Sequence, residues 1–369
     1  MRKLFCLFLS LAMVAAVLTG CGSGSTDKTP TSAGSSASAS SSSSSSSSST
    51  PVEVKTKVTS TDKITIRVAY DVAESHPSHK ATVEKFKAML EQGSNGNITV
   101  ELYPNSQLGS LAENMESMRI GDLEMAYLND GTISASVPEF SVVGLPYLWT
   151  SIDAAHDALD GDFGQYLSQK LLDTCNIINL GYADVGFRNI TNSKKEIKIP
   201  DDLKGLKIRT MTNPLHVEYF TALGAIPTPM SFSELFTALQ QKTVDGQENP
   251  TALIYNNGIY EVQKYMTITE HVWTSCPMCI AADFFNGLPS DYQELIKEAA
   301  AATISYQREL ITQQNADLAS KIEEAGVKVT TLTDDEKAAF KKVAEDSVYK
   351  TAAKDYGQDL IDMAAAHNK

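Results

Sequence analysis

Gly205-Leu206-Lys207-Ile208-Arg209-Thr210-Met211 reads as a strand, and Leu215 to Leu223 follows it as a helix stopped by Gly224. This step decides the fold because it repeats one that has already occurred upstream. Lys63 to Tyr70 alternates and is rich in β-branched residues, the signature of a strand. Pro77 to Gln92 is helical, with Val83, Phe86 and Leu90 at i, i+3 and i+7. Asn97 to Tyr103 is a second strand closed by Pro104-Asn105, a helix from Leu111 to Ile120 ends at Gly121, and Leu123 to Leu128 is a third strand. Strands separated by single helices predict βαβ units and a largely parallel sheet. The restart at Gly205 predicts a second lobe of the same α/β class.

Between the two sets lie helical stretches at Ile152–Leu159 and Phe163–Leu172 and a strand at Asn176–Tyr182. After the restart, Ser231-Phe232-Ser233-Glu234 fits a capping box for a helix reaching Gln241. Thr243–Asp245 reads as a short strand, Asn249-Pro250 as the start of another helix, and Thr269–Phe284 as extended. From Pro289 to Ala325 no Pro or Gly interrupts a helical run, with Ser290 and Gln293 as its start box. About 35 residues at 1.5 Å each give roughly 50 Å, more than the width of one lobe, so this helix is expected to pack along both. Gly326 to Thr330 is a last strand, Thr333 to Glu336 caps a further helix, and Asp355–Ala365 is the final one.

The N-terminus reads as a secretory signal over residues 1–20: Arg2 and Lys3, an apolar run from Leu4 to Leu18, then small residues. The run is too short for a bilayer-spanning helix of roughly 20 residues. Leu18-Thr19-Gly20-Cys21 resembles the bacterial lipobox, which implies cleavage before Cys21 and lipidation of its sulfur, an anchor to the cell membrane; the competing reading is an uncleaved anchor with an incidental Cys21. Residues 21–61, with the serine tract Ser40 to Ser49, hold too little apolar surface to offset ordering entropy and are expected to form a disordered tether with a reach of roughly 35 Å. The remaining chain is long enough for a large core or two domains.

The sequence carries 45 acidic against 31 basic side chains, two of which sit in the signal. So acidic a protein is not expected to bind nucleic acid, which needs a basic face. A local pocket can still be positive and take an anion. Cys175, Cys276 and Cys279 are an odd number, which indicates no disulfide framework. Cys276-Pro277-Met278-Cys279 admits buried free thiols, a disulfide formed through a turn at Pro277, or a metal, but no second such pair completes a zinc site. In an extended segment positions i and i+3 face opposite ways, about 10 Å apart, which favours free thiols.

Four strings stand out in order: Gly186-Phe187-Arg188-Asn189, Asp202 to Arg209, Pro227 to Leu235, and Val244 to Pro250. By themselves they show strands and turns bearing two arginines, an aromatic and an amide. Together they closely resemble the DctP family of TRAP substrate-binding proteins, and the resemblance extends to Tyr103–Gly109, to Leu145-Pro146-Tyr147 and to the long helix. It implies a two-lobed, periplasmic-binding-protein-like α/β fold with crossing hinge strands, the long helix bridging both lobes. The implied lobes are 62–185 with 274–313, and 186–273 with 314–369.

The same resemblance implies site residues. Arg209 falls on the principal ligand arginine; a guanidinium grips both oxygens of a carboxylate through parallel N–H bonds. Without the resemblance it would be a strand-end surface charge. Arg188 falls on a second arginine, its competing reading an inter-strand ion pair. Asn249 falls on a carboxylate donor, although Asn before Pro is also ordinary helix capping. Phe232 matches an aromatic packed on the ligand, with generic core as the alternative. Asn129 and Asp71 fall in the other lobe's pocket, and His76 opens a helix close by, where a solvated helix start competes with a ligand role. Leu111 and Asn129 replace the acidic groups of sialic acid receptors, which argues against that ligand.

The function so implied is an extracytoplasmic solute receptor that captures a small organic carboxylate: a C4-dicarboxylate, a sugar acid such as a hexuronate, or a keto acid. It would close its lobes and deliver the ligand to the small and large TRAP permease components, with no cofactor and no metal. A ligand sensor for a signalling receptor is the alternative on the same fold. An enzyme is not expected: HExxH, GxSxG in the folded region and GxxxxGK are all missing, and the six histidines lack metal spacing.

Overall fold

The computed structural model describes residues 52–368, the side chains of 315 and 316 excepted. The expected signal, Cys21 and the serine tract lie outside the described residues. In β1 (Ile64–Ala69), Ile66 and Val68 point into the core while Thr65 is exposed. The helical run 77–93 consists of α1 (Pro77–Ala81), a π-helical stretch Thr82–Lys87 and α2 (Ala88–Gly93). It buries Phe86 and Leu90 but leaves Val83 37% exposed. A π turn carries an extra residue, so the expected row slips off one face. β2 (Ile98–Tyr103), α3 (Leu111–Arg119) and β3 (Met125–Tyr127) follow, and β1 pairs in parallel with both strands. α4 (Asp130–Ile133), a 3-10 stretch Pro138–Gly144, α5 (Ile152–Asp160) and α6 (Asp162–Cys175) lead into β4 (Ile177–Asn192).

The second set comprises β5 (Lys207–Thr210), α7 (Pro214–Ala222), β6 (Ile226–Pro229), α8 (Phe232–Gln240), β7 (Gly246–Pro250) and α9 (Thr251–Asn256). β8 (Tyr265–Ala281) then returns to the first half, where α10 (Ala282–Gly287) and α11 (Ser290–Glu324) begin. β9 (Lys328–Thr331), α12 (Asp334–Asp346), α13 (Val348–Tyr356) and α14 (Gln358–Ala365) complete the chain.

Two strands are longer than their local sequence indicated, and they are the crossing strands that the resemblance implied. β4 has 16 residues and β8 has 17, and they pair antiparallel across both halves of a nine-stranded sheet. β3, β1 and β2 extend the sheet from one portion of β8; β7, β5 and β6 extend it from the far portion of β4, and β9 joins the early part of β8. The outer pairs are parallel as expected, but the centre is antiparallel because the chain crosses between halves twice, in opposite directions. The β4–β8 register breaks at Asn179/Tyr182, Asp184/Gly186 and Arg188/Ile190, where the ladder bends as the strands cross.

α11 is 35 residues long and does span both halves. Tyr292, Leu295, Ile296, Ala299 and Ile304 pack in the first half's core, and Ile322 in the second half's. Its expected start box is not formed: Pro289 precedes the first turn and the Gln293 amide instead donates to the Leu288 carbonyl. The C-terminal helices bind both sets, α12 and α13 against α7, α14 against α6. Cys175, Cys276 and Cys279 are free thiols. Cys276 and Cys279 sit on extended β8, and burial holds the Cys276 thiol well above its ordinary value.

Residues 52–61, expected to be part of the tether, are packed on the fold instead. The Lys55 and Thr56 amides donate to the Glu298 carboxylate at 2.7 and 2.8 Å, and the Thr59 and Ser60 amides to Asp291. Val52, Val54 and Val58 alternate with exposed Glu53, Lys55 and Lys57 and pack on the first half's core.

At the start of β7 a side chain on Gly246 would place its Cβ 2.2 Å from the Thr191 carbonyl oxygen. Gly246→Ala is therefore expected to destabilise the protein by about 1–3 kcal/mol. The check is a lower urea midpoint with an unchanged slope; an unchanged midpoint would mean that β7 shifts freely against β4.

Candidate functional site

The ends of several strands meet at one cleft lined from both halves. Open α/β sheets bind ligands beyond the carboxyl ends of their strands, so the location follows from topology. All seven residues singled out in the sequence line it: Asp71, His76 and Asn129 from the first half, and Arg188, Arg209, Phe232 and Asn249 from the second.

Arg209 lies in β5, 2% exposed, not at the surface. Its Nε and Nη2 donate to the Met230 carbonyl at 3.1 and 2.8 Å, which fixes the plane of the guanidinium. Nη1 is buried with no partner. Burial, then the neighbouring Arg188 cation, lowers its pKa to about 10, so it stays charged at neutral pH. An oriented cation with an unsatisfied donor suits an arriving carboxylate.

Arg188 makes the ion pair weighed as its alternative. Its Nε and Nη2 engage both carboxylate oxygens of Glu248, the latter at 2.8 Å, while the guanidinium also borders the cleft. The pair ties β4 to β7 with side chains 2% and 0% exposed. Glu248 escaped the sequence reading. Burial alone pushes its carboxyl up, but Arg188 and the nearby His271 bring the net value well below the usual carboxylate range.

Asn249 is not a helix cap. It lies in β7, and Pro250 occupies the cap position of α9. β7 extends to this point because Asn249 and Pro250 pair with Asn189 and Arg188 on β4. Its amide donates to Gln247 Oε1, Gln247 to Thr191 Oγ1, and Thr191 to Gln263, a buried relay that orients it. Phe232, at the first turn of α8, packs on the cores of both halves as well as on the cleft.

On the opposite wall, Asn129 caps α4 with its Oδ1 accepting from Thr132 at 2.8 Å. His76 is 1% exposed and not a solvated helix start. Its Nδ1 accepts the Ser78 amide, which places the imidazole proton on Nε2. That Nε2 is buried with no partner, and burial lowers the pKa to about 3, so the ring is a neutral donor. Asp71 is half-buried; burial raises its carboxyl to about 6 against the pull of Arg209. Asp184 on β4 was also missed. It lines the cleft, its Oδ1 lies 2.6 Å from His156 Nε2, and its Oδ2 is buried without a partner. The Gln307 side chain of α11 holds Asp184 in place by accepting its amide and donating to its carbonyl.

Glu248→Gln would leave the Arg188 charge buried and unpaired, with an expected loss of about 3–5 kcal/mol. Because the folded-state value of Glu248 is depressed, its contribution is complete above the ordinary carboxylate value of 4.5 and is lost as pH falls below it. The variant's stability should therefore depend less steeply on acid pH than the parent's; equal acid dependence in urea melts would refute the assignment.

Comparison with known proteins agrees with this fold. Residues 68–355 match the family described as bacterial extracellular solute-binding protein, family 7 (DctP). The 2,3-diketo-L-gulonate-binding periplasmic protein YiaO of Escherichia coli is 31% identical over 80% of this chain and 90% of its own length. The sugar acid binding protein DctPAm of Advenella mimigardefordensis, solved with galactonate, superposes with a TM-score of 0.80 at 34% identity, covering 84% of this chain and 100% of that one. A TRAP periplasmic solute-binding protein of Sulfurospirillum deleyianum, solved with succinate, gives 0.80 at 31% identity over 83% and 100%. Fold, cleft and extended similarity converge on one conclusion: this chain belongs to the DctP family of bacterial extracellular solute-binding proteins.

Proposed function

We propose that this protein is the extracytoplasmic receptor of a TRAP transporter, capturing a small organic carboxylate between its two halves and presenting it to the membrane permease components. The observation that carries the reading is Arg209: a buried, oriented guanidinium at the cleft with one N–H group unpaired. Arg188 and Asn249 border the same space, Arg188 as a charge already matched by Glu248 and Asn249 as an oriented amide. Phe232 supplies an apolar wall for the ligand's carbon chain.

Closure is the proposed mechanism. The crossing strands β4 and β8 carry register breaks beside Asp184 and Arg188, so rotation there would open or close the cleft directly. Hinge closure around a ligand allows capture at one site and release at another. Attachment to the membrane through a lipidated Cys21 belongs to the same proposal and rests on the Leu18-Thr19-Gly20-Cys21 string.

Arg209→Ala is expected to weaken carboxylate binding at least about 100-fold, since truncating one partner of a buried charge pair costs 2–5 kcal/mol or more. The apo melting temperature should change little, because the lost bonds to Met230 are offset by removal of a buried unpaired donor. A thermal-shift series with organic acids reads both, and retained ligand stabilisation in the variant would refute the role. Cys21→Ser is expected to release the protein from membranes on fractionation; persistent attachment would refute the lipid anchor.

A further inference from the structure

Charge in the cleft is segregated. The lining cations, Arg188 and Arg209, both come from the second half, and Arg188 is already matched by Glu248. Arg209 is hydrogen-bonded to no acid and is the lining guanidinium with a free N–H, enough for one carboxylate. The other wall offers no cation: it presents Asp71 and Asp184 as acids and His76 as a neutral ring.

Hydrogen-bond capacity points the same way. Asp184 Oδ2 is buried and lacks a donor, and His76 Nε2–H is buried and lacks an acceptor. A hydroxyl group both donates and accepts, so a hydroxylated chain can satisfy each of them. A carboxylate is acceptor-only when ionised; it could take the His76 proton but would face the Asp184 oxygen with nothing to donate. Like charges brought together in a desolvated site are strongly rejected, and such rejection is one of the two ways a site becomes specific.

We propose, resting on the receptor reading above, that the ligand is a polyhydroxylated acid with a single carboxylate, bound by Arg209, and that Asp71 and Asp184 receive its hydroxyl groups and exclude a second carboxylate. The class is the sugar acids, aldonates or hexuronates, and not the C4-dicarboxylates.

The test is titration calorimetry at pH 8, where Asp71 is ionised, with aldonates of four to six carbons, D-glucuronate, D-galacturonate, succinate and L-malate. At least one sugar acid should bind the parent protein, with succinate and malate weaker by at least about 100-fold. Asp71→Asn and Asp184→Asn, each checked for folding by circular dichroism and melting, should each narrow that ratio at least about tenfold. Asp71 is only half-buried, so its variant serves where loss of the His156 partner unfolds the other. A dicarboxylate that binds the parent as tightly as the best sugar acid, or a ratio unchanged in the folded variants, overturns the proposal. If that dicarboxylate's binding also depends on Arg209, the receptor reading stands and only the ligand class falls. Binding of none of these acids overturns the sugar-acid proposal, and the receptor reading falls with it only if no acid of the thermal-shift series stabilises the protein either.

Discussion

The antiparallel pairing of β4 with β8 is the constraint from which the rest of the architecture follows. Strands of 16 and 17 residues are long enough to serve two sub-sheets, so each half of the molecule builds outward from the same two backbones. Because both strands pass through the cleft, side chains on one face of their middle stretches line it. Asp184 and Arg188 of β4, and Thr274 and Cys276 of β8, are there for that reason. The long helix α11 makes the complementary connection, with its early turns in one core and its later turns in another. Gln307, midway along α11, holds both backbone groups of Asp184 and so links the helix to the crossing strands where they enter the cleft.

Burying two neighbouring guanidiniums is costly, since each buried ion loses several kcal/mol of hydration. The fold resolves the two differently. Arg188 is given a buried counter-charge in Glu248 and becomes part of the framework between β4 and β7. Arg209 is given only the Met230 carbonyl and keeps an unsatisfied N–H. Two residues of the same type are therefore held differently: one guanidinium is paired with an acid, and the other keeps an N–H group without a partner. The polar relay from Gln263 through Thr191 and Gln247 to Asn249 extends the framework side and holds that wall of the cleft in one orientation.

Some of this was legible in local sequence. Capping is a short-range event, and Ser231 with Glu234 and Thr333 with Glu336 form the boxes their spacing implies. The length of α11 followed from the lack of Gly and Pro. The alternation of Val52, Val54 and Val58 with charged residues was also a usable strand-like signal, obscured by the serine-rich stretch beside it. Asn249-Pro250 misled because Asn before Pro is a good local cap, whereas pairing with β4 carried the strand through both residues. The resemblance located the two arginines, but nothing local marked Asp184 or Glu248. An acid within a strand looks like a surface residue until its partners, His156 and Arg188, are brought from 28 and 60 positions away.

The sequence by itself determined the α/β class, the two sets of strands and helices, the bridging helix and the residue types suited to an anion. Those are consequences of periodicity, capping and breakers, which act over a few residues. Only the tertiary structure decided how far β4 and β8 run and where they pair, that Arg188 is ion-paired with Glu248 while Arg209 bonds only the Met230 carbonyl, and that the facing wall is acidic and hydrogen-bonding. Burial and charge compensation depend on groups distant along the chain, and their balance is set only when the sheet brings them together.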